Sequence, residues 1–349
     1  MGEHEGKTSG DGLDRESLEG WFRDHVPGAE PPLEYERIAG GRSNLTFRVA
    51  DAAGGRWILR RPPLGTTLGS AHDMGREHRI LTGLVATGVP APVPVALCAD
   101  EAVTGAQFYV MELVDGLVLR DEDDVAAAFD EPGRRRIGEA LVDTLADLHA
   151  VDPDAAGLGE LGRRDGYAER QLKRWKRQWE ASKTREIGAM EETHALLSAR
   201  VPPQDSTAIV HGDYRLDNVI VTPGGEIAAV LDWELCTLGD PLADVGQLVV
   251  YWAEPDDEVV PLTRSPTLAP GFPARAELVE RYAQRSGRDV SQLDFFVALA
   301  YWKLAAILEG VYARYSAGAY GETSDDFRSF GTIVEQLAGA ALDAARRLE

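Results

Sequence analysis

Residues 209–244 read IVHGDYRLDNVIVTPGGEIAAVLDWELCTLGDPLAD, and the fold turns on how this stretch is read. Ile209 and Val210 run into His211-Gly212-Asp213, and Val219-Ile220-Val221 form a short β-branched strand. Pro223-Gly224-Gly225 turn the chain, and residues 227–231 return it to Asp232. The unit carries Asp213, Asn218 and Asp232. One carboxylate alone would mean little. A carboxylate, an amide five residues on, and a second carboxylate after a returning apolar strand form the constellation that phosphoryl transfer requires. It offers one base for a hydroxyl nucleophile and two oxygen ligands for Mg²⁺.

Upstream, residues 1–16 are polar and charged, which predicts a disordered tail. Apolar residues at 18, 21, 22 and 26 predict a short amphipathic helix ahead of Pro27. Strands are predicted at 33–38, 45–49 and 56–61, with glycine turns between them. Such turns let backbone N–H groups approach phosphate oxygens, although two glycines in a hairpin usually mean only a turn. No lysine occurs between residues 33 and 116, so a cationic clamp on nucleotide phosphates here has to be an arginine. Period-two alternation puts Ile58 and Arg60 on one face and Trp57, Leu59 and Arg61 on the other. Arg60 is the candidate, and the alternative is that both arginines are solvated strand-end charges. A helix is predicted over 70–84, carrying Glu77, a carboxylate able to orient the strand arginine. The ordinary expectation is that a mid-helix glutamate is exposed. Residues 95–98 and 107–114 read as an antiparallel pair. The second passes into Asp115-Gly116, which suits a hinge whose backbone groups read an adenine edge.

Downstream of residue 123 the pattern turns helical, with helices predicted at 132–150, 167–182, 190–197, 245–252, 274–286, 290–312 and 323–348. A long loop is predicted at 253–273. Residues 163–185 hold nine basic and three acidic side chains. They read either as a solvated, charge-laced helix or as a docking surface for an anionic substrate.

At 349 residues the chain is long enough for two lobes. A net charge of −22 argues against a general nucleic-acid or anionic-membrane binder. No uninterrupted run of about 18 apolar residues occurs, so no transmembrane helix is expected, and the N-terminus lacks the apolar stretch of a secretory signal. Cys98 and Cys236 have neither metal-ligand spacing nor framework density, and a reducing cytoplasm is the expected compartment.

HGDYRLDN at 211–218, LDWE at 231–234 and GDPLAD at 239–244 must coincide at fixed spacings, and together they are a specific signal. Over roughly residues 33–320 the chain resembles the aminoglycoside phosphotransferase-like, protein-kinase-like superfamily. Within it, the match looks closest to kinase-like domains that stand alone or are fused ahead of some acyl-CoA dehydrogenase family members. RRPP, QLKRWKRQWE and AAILEGVYAR also look like features of that subfamily.

The resemblance implies an α+β, two-lobed kinase-like fold: a tail and short helix at 1–26, a β-rich nucleotide-binding lobe at 27–115, and a mainly helical catalytic lobe at 116–349. It implies ATP and Mg²⁺ as cofactors. Asp213 would be the base and Arg215 a cation on the moving phosphoryl group, while Asn218 and Asp232 would hold the metal. Gly41, Ser43 and Asn44 sit where the phosphate-covering loop belongs, Arg60 and Glu77 where the phosphate clamp belongs, and Glu112 and Val114 where adenine is read. Glu234 is either a second metal ligand or a loop carboxylate. His211, Asp240 and Asp244 are expected to brace backbone. Arg60 stands where kinases carry a lysine, a bulkier fork in place of a point charge. The implied acceptor is a small-molecule hydroxyl, with a hydroxyacyl or hydroxyacyl-CoA compound favoured and a functional link to acyl-CoA dehydrogenases. An aminoglycoside or sugar kinase is the alternative, the acidic tract EPDDE at 254–258 then serving a polycation. A nucleotide-binding module without turnover is the reading from outside enzymology.

Overall fold

Alternating apolar side chains in the first third of the chain build a five-stranded sheet. Helix α1 (Arg15–His25) precedes β1 (Leu33–Arg37), β2 (Leu45–Asp51) and β3 (Arg56–Arg61). Helix α2 (Met74–Leu84) then leads to β4 (Pro94–Cys98) and β5 (Phe108–Glu112). The strand order is β1-β2-β3-β5-β4, and every neighbouring pair is antiparallel. The computed structural model describes residues 13–38, 44–63, 73–261, 264–316 and 327–348. It divides into two compact units. Met1–Asp115 and Ala228–Leu235 form the first, and Gly116–Ile227 and Cys236–Glu349 form the second.

In the first unit, Phe47 lies opposite Leu59, and Leu59 opposite Val110. One sheet face therefore collects Phe47, Val49, Leu59, Phe108 and Val110 in a cluster with Leu18 and Phe22 of α1. Both helix residues are fully buried, each contributing about 1.5–3 kcal/mol. The other face presents Arg60 beside its cross-strand partner Tyr109, where Glu77 of α2 meets the Tyr109 hydroxyl. The alternation expected at 56–61 holds. Neither arginine is a solvated strand end: Arg61 is fully buried, and the Arg60 side chain is only 14% exposed. Glu77 is buried as well, against the ordinary expectation for a glutamate in mid-helix.

The second unit contains α3 (Glu122–Ala128), α4 (Glu131–Ala150), α5 (Tyr167–Ser182), α6 (Gly188–Ala199), β6 (Ala208–Val210) and β7 (Val219–Val221). After β8 (Ile227–Val230) it resumes with β9 (Thr237–Gly239), α7 (Leu242–Tyr251), α8 (Arg275–Ser286), α9 (Leu293–Ser316) and α10 (Phe327–Arg346). Strand β9, not among the strands expected from sequence, pairs antiparallel with β6 and buries Leu238. Three residues are too few to display a period.

Helix α9 packs against α5, α6, α7 and α10. Among the described residues it is the one helix long and apolar enough to cross a membrane, with a mean hydropathy of 1.4 over its most apolar stretch. A search for uninterrupted apolar residues passes over it, because Lys303 and Glu309 break the run. Both have partners inside the unit. Glu309 accepts from the backbone N–H and hydroxyl of Thr184, each at 2.7 Å, and pairs with Arg185 at 3.2 Å. The close approach of α7 to α9 rests on Gly246, where a Cβ would lie 2.7 Å from the Phe296 backbone.

Candidate functional site

The residues singled out by the sequence fall into two constellations, one in each unit. In the first, Arg60 is the hub. Its Nε lies 3.0 Å from Glu77, and its Nη2 lies 2.6 Å from Asp232 and 3.8 Å from Glu234. The Asn44 amide donates to Glu77 at 3.1 Å and to Glu234 at 3.3 Å, and Tyr109 Oη donates to Glu77 at 3.0 Å. Glu77, the carboxylate expected to orient the arginine, is thus held by three donors. Burial pushes its carboxyl up, with Arg60 and Tyr109 opposing. Burial works against the Arg60 charge, but Glu77 and Asp232 outweigh it and hold the guanidinium protonated.

Asp232 has φ of +64°, the one non-glycine among the described residues in the left-handed region. The neighbouring backbone is tightly tied: Val230 N–H donates to Pro90 O at 2.8 Å, and Trp233 Nε1 donates to Val230 O at 2.9 Å. These bonds hold a conformation that costs an L-residue about 1–3 kcal/mol, and such outliers concentrate at functional sites.

Of the groups expected to read a nucleotide base, Glu112 spends its N–H on Val93 O at 2.9 Å. It therefore has no donor to offer. Val114 lies two residues past the end of β5, half-buried. Gly41 and Ser43 lie outside the described residues.

In the second unit the loop 211–218 hangs from Asp244. The buried Asp244 carboxylate accepts the N–H groups of His211 at 2.6 Å and Gly212 at 2.8 Å, and lies 3.3 Å from His149 Nε2. Burial alone would raise this carboxyl, but His149, His211 and the Gly212 N–H hold it below the ordinary carboxylate value. His211 Nδ1 accepts from Asp213 N–H at 3.2 Å, and Asp240 accepts the Leu242 N–H at 3.0 Å. All three serve the backbone geometrically, and His211 is fully buried.

The Asp213 carboxylate is gripped on both oxygens. Gln247 Nε2 donates to Oδ1 at 2.6 Å, and Asn218 Nδ2 donates to Oδ2 at 2.8 Å. Arg215 lies 3.4 Å from Asp213 Oδ2 and 3.0 Å from Asp217, with its guanidinium 4.9 Å from the centre of the Tyr251 ring. Asn218 also donates to the Asp213 backbone carbonyl at 2.9 Å. Its amide N–H₂ end is thereby committed, and its carbonyl oxygen turns away from Asp213 as an oxygen ligand. Asp232 and Asn218 are each the kind of donor Mg²⁺ takes, usually with one or two protein ligands and the rest from phosphates and water. Among the described residues no three His, Cys, Asp or Glu side chains gather as a metal cage.

Sequence reasoning missed Gln247, Lys303 and Tyr251. A signal existed for two of them. Gln247 stands three residues after Asp244 on α7, hence on the same helix face. Lys303 is a charge in the apolar middle of a helix, and one of only five lysines. Tyr251, a tyrosine at the end of an apolar helix, carried none.

Four of the nine basic side chains of the island at 163–185 are neutralised within their own unit. Arg164 pairs with Asp154, Lys176 with Glu180 and Glu191, Lys183 with Glu180 and Glu186, and Arg185 with Glu309 and Glu335. Lys173, Arg174 and Arg177 remain exposed on α5, with no ion pair among the described residues. In the acidic tract, Glu254 and Asp257 are taken up by Arg275.

Comparison with known proteins extends through both units. The model of the phosphotransferase enzyme family matches residues 34–296. Acyl-CoA dehydrogenase family member 11 of Gallus gallus is 36% identical over 96% of this chain. The chain spans 44% of that relative's length, less than half. A crystal structure from Ralstonia eutropha, described as a candidate aminoglycoside phosphotransferase, is 33% identical with a TM-score of 0.81, covering 95% of this chain and 98% of the other. Aminoglycoside phosphotransferase APH(4)-Ia, solved with AMP-PNP and hygromycin B, shares the fold at 13% identity and a TM-score of 0.61, over 94% of this chain and 98% of the other. An antiparallel sheet with one inserted helix, followed by a helical second unit, is the kinase-like fold that these structures share. The chain belongs to the phosphotransferase enzyme family.

Proposed function

We propose that the protein is an ATP- and Mg²⁺-dependent small-molecule kinase with an alcohol as acceptor. The observation that carries this reading is the Asp213 carboxylate, with Oδ1 held by Gln247 and Oδ2 by Asn218. A base held on both oxygens is preorganised to accept a hydroxyl proton as that oxygen attacks the γ-phosphorus, the bond to the departing ADP breaks, and ADP leaves. Arg215 is the cation placed beside it for charge on the moving phosphoryl group. Arg60, oriented by Glu77, is the phosphate-binding cation of the first unit. Asp232 and Asn218 are the residues that would each offer an oxygen donor to Mg²⁺, and the ion would neutralise charge on the β- and γ-phosphates.

For the acceptor we favour an anionic hydroxyacyl compound, including a hydroxyacyl-CoA. Lys173, Arg174 and Arg177 support this, as exposed cations without counter-ions on a chain of net charge −22. Kinship to acyl-CoA dehydrogenase family members supports it too. Arg275 takes up two of the four carboxylates of the 254–258 tract, Glu254 and Asp257, which weighs against an aminoglycoside.

The test is phosphate transfer from Mg-ATP to a panel of hydroxyacyl-CoAs, free hydroxy acids, aminoglycosides and sugars, read by mass spectrometry. Transfer to an acyl compound, abolished in Asp213→Asn with nucleotide affinity retained, is expected. Nucleotide binding without transfer to any member would replace the kinase with a binding module.

A further inference from the structure

The proposed base is held by a polar relay that reaches Lys303 on helix α9, a residue beyond the stretch matched by the family model. Lys303 Nζ donates to Gln247 Oε1 at 2.8 Å and to the Gly212 carbonyl at 2.9 Å. Gln247 Nε2 in turn donates to Asp213 Oδ1 at 2.6 Å. An amide between an ammonium and a carboxylate has one workable orientation. Its carbonyl must face the donor-only ammonium and its N–H₂ the acceptor-only carboxylate, since the flipped form sets like against like at both ends. The ammonium therefore chooses which way Gln247 points. It also fixes the peptide immediately before Asp213.

Keeping a lysine here is costly. Burial depresses the Lys303 ammonium despite Asp213 and Asp244 nearby, and its helix neighbours Trp302, Leu304, Ala305 and Ala306 are buried and apolar. It also lies 5.6 Å from the centre of the Trp175 ring, a cation–π contact that supports the charge from the side.

We infer that Lys303 and Gln247 are positioning residues for Asp213, the lysine acting through the glutamine amide and the Gly212 carbonyl to fix the base's carboxylate. This inference rests on the assignment of Asp213 as base. Neither residue touches a reacting atom. Their loss falls on kcat rather than on nucleotide binding, by the roughly 10- to 100-fold typical of supporting hydrogen bonds around a reactive group.

Gln247→Leu, Gln247→Glu, Lys303→Met and the Leu/Met double variant separate this role from packing. The readouts are phosphate release from Mg-ATP with water as acceptor, transfer to any alcohol the wild type accepts, and the nucleotide dissociation constant. Each single variant is expected to lower kcat about 10- to 100-fold with KM for ATP and the dissociation constant within about twofold. The double variant should be no worse than the poorer single one, because the two residues act in series. Gln247→Glu is the discriminating case. It keeps the shape and the lysine partner but turns an oxygen towards Asp213, so a packing role would be rescued by it and a positioning role would not. Wild-type kcat in Gln247→Glu, or additive losses in the double variant, would overturn the inference.

Should the wild type transfer phosphate to nothing, the kinase reading fails by itself. The relay is then judged by crystal structures of Gln247→Glu and Lys303→Met. A carboxylate of Asp213 turned from its wild-type rotamer supports it, and an unmoved one overturns it. Gln247→Glu is the arm that survives if Lys303→Met does not fold.

Discussion

At the scale of single residues, Arg60 shows why a residue type cannot be judged apart from its partners. Kinases carry a lysine at this strand position, so restoring one looks conservative. Here the guanidinium reaches Glu77 through Nε and Asp232 through Nη2, and one ammonium cannot reproduce that fork. Arg60→Lys is expected to lose about 1–3 kcal/mol of stability and to raise KM for ATP, checked by urea unfolding and by nucleotide titration. Unchanged unfolding would mean that the fork contributes nothing. Asp240 gives a second prediction. Burial pushes its carboxyl up to about 6, with Asp205 adding to the rise and the Leu242 N–H and Arg288 opposing it. A carboxyl whose folded value lies above its unfolded one costs stability when ionised in the native state. That cost is small near pH 4, grows as pH rises from about 4 to about 6, and is constant above that. Asp240→Asn keeps an acceptor for Leu242 and removes the charge. It should therefore stabilise by on the order of 1–2 kcal/mol at pH 7.5 and by nearly nothing at pH 4, measured as the difference between two unfolding curves. A gain independent of pH would refute the assignment.

At the scale of elements, what could be read in advance depended on period and length. Strands β1–β3 and helices α4 and α5 each repeat their pattern over five or more residues, and their positions follow from sequence to within a few residues. Strand β9 has three residues, and its pairing with β6 spans about thirty positions, so no local period announces it. The loop 211–218 was legible for a different reason: its side chains carry chemistry that few other spacings serve. Gln247 and Lys303 were not, because their meaning comes from α7 lying against α9. That approach depends on Gly246, and Gly246→Ala should force the helices apart at Phe296. The expected outcome is a destabilised protein, by about 1–3 kcal/mol, whose kcat falls further than its remaining folded fraction explains. Activity that tracks the folded fraction alone would show that helix spacing does not reach Asp213.

For the whole molecule, the net charge of −22 is the dominant long-range term. Many of its arginines are engaged in exposed pairs such as Arg48–Glu36, Arg135–Glu277 and Arg346–Glu192, each worth only about 0–1 kcal/mol, so screening them with salt loses little. Repulsion among the excess carboxylates is screened at the same time, over a Debye length of about 10 Å at 0.1 M salt. The repulsion should win. Raising KCl from about 20 mM to about 0.5 M is expected to raise Tm by a few degrees, and a lower Tm in salt would mean that the surface pairs dominate.

The deciding stretch is itself divided, with Asp213 in one unit and residues 228–235 in the other. During synthesis, residues 1–115 leave the ribosome without the segment that supplies Asp232 and Glu234. Until then Arg60 has Glu77 as its only acidic partner of the three, and Pro90 O waits for the Val230 N–H. At about 5–20 residues per second the missing piece follows on the order of ten seconds later. The first unit is thus begun before the second but finished only after residues 116–227 have been made, and a nascent chain stalled near residue 200 would carry an unfinished buried charge.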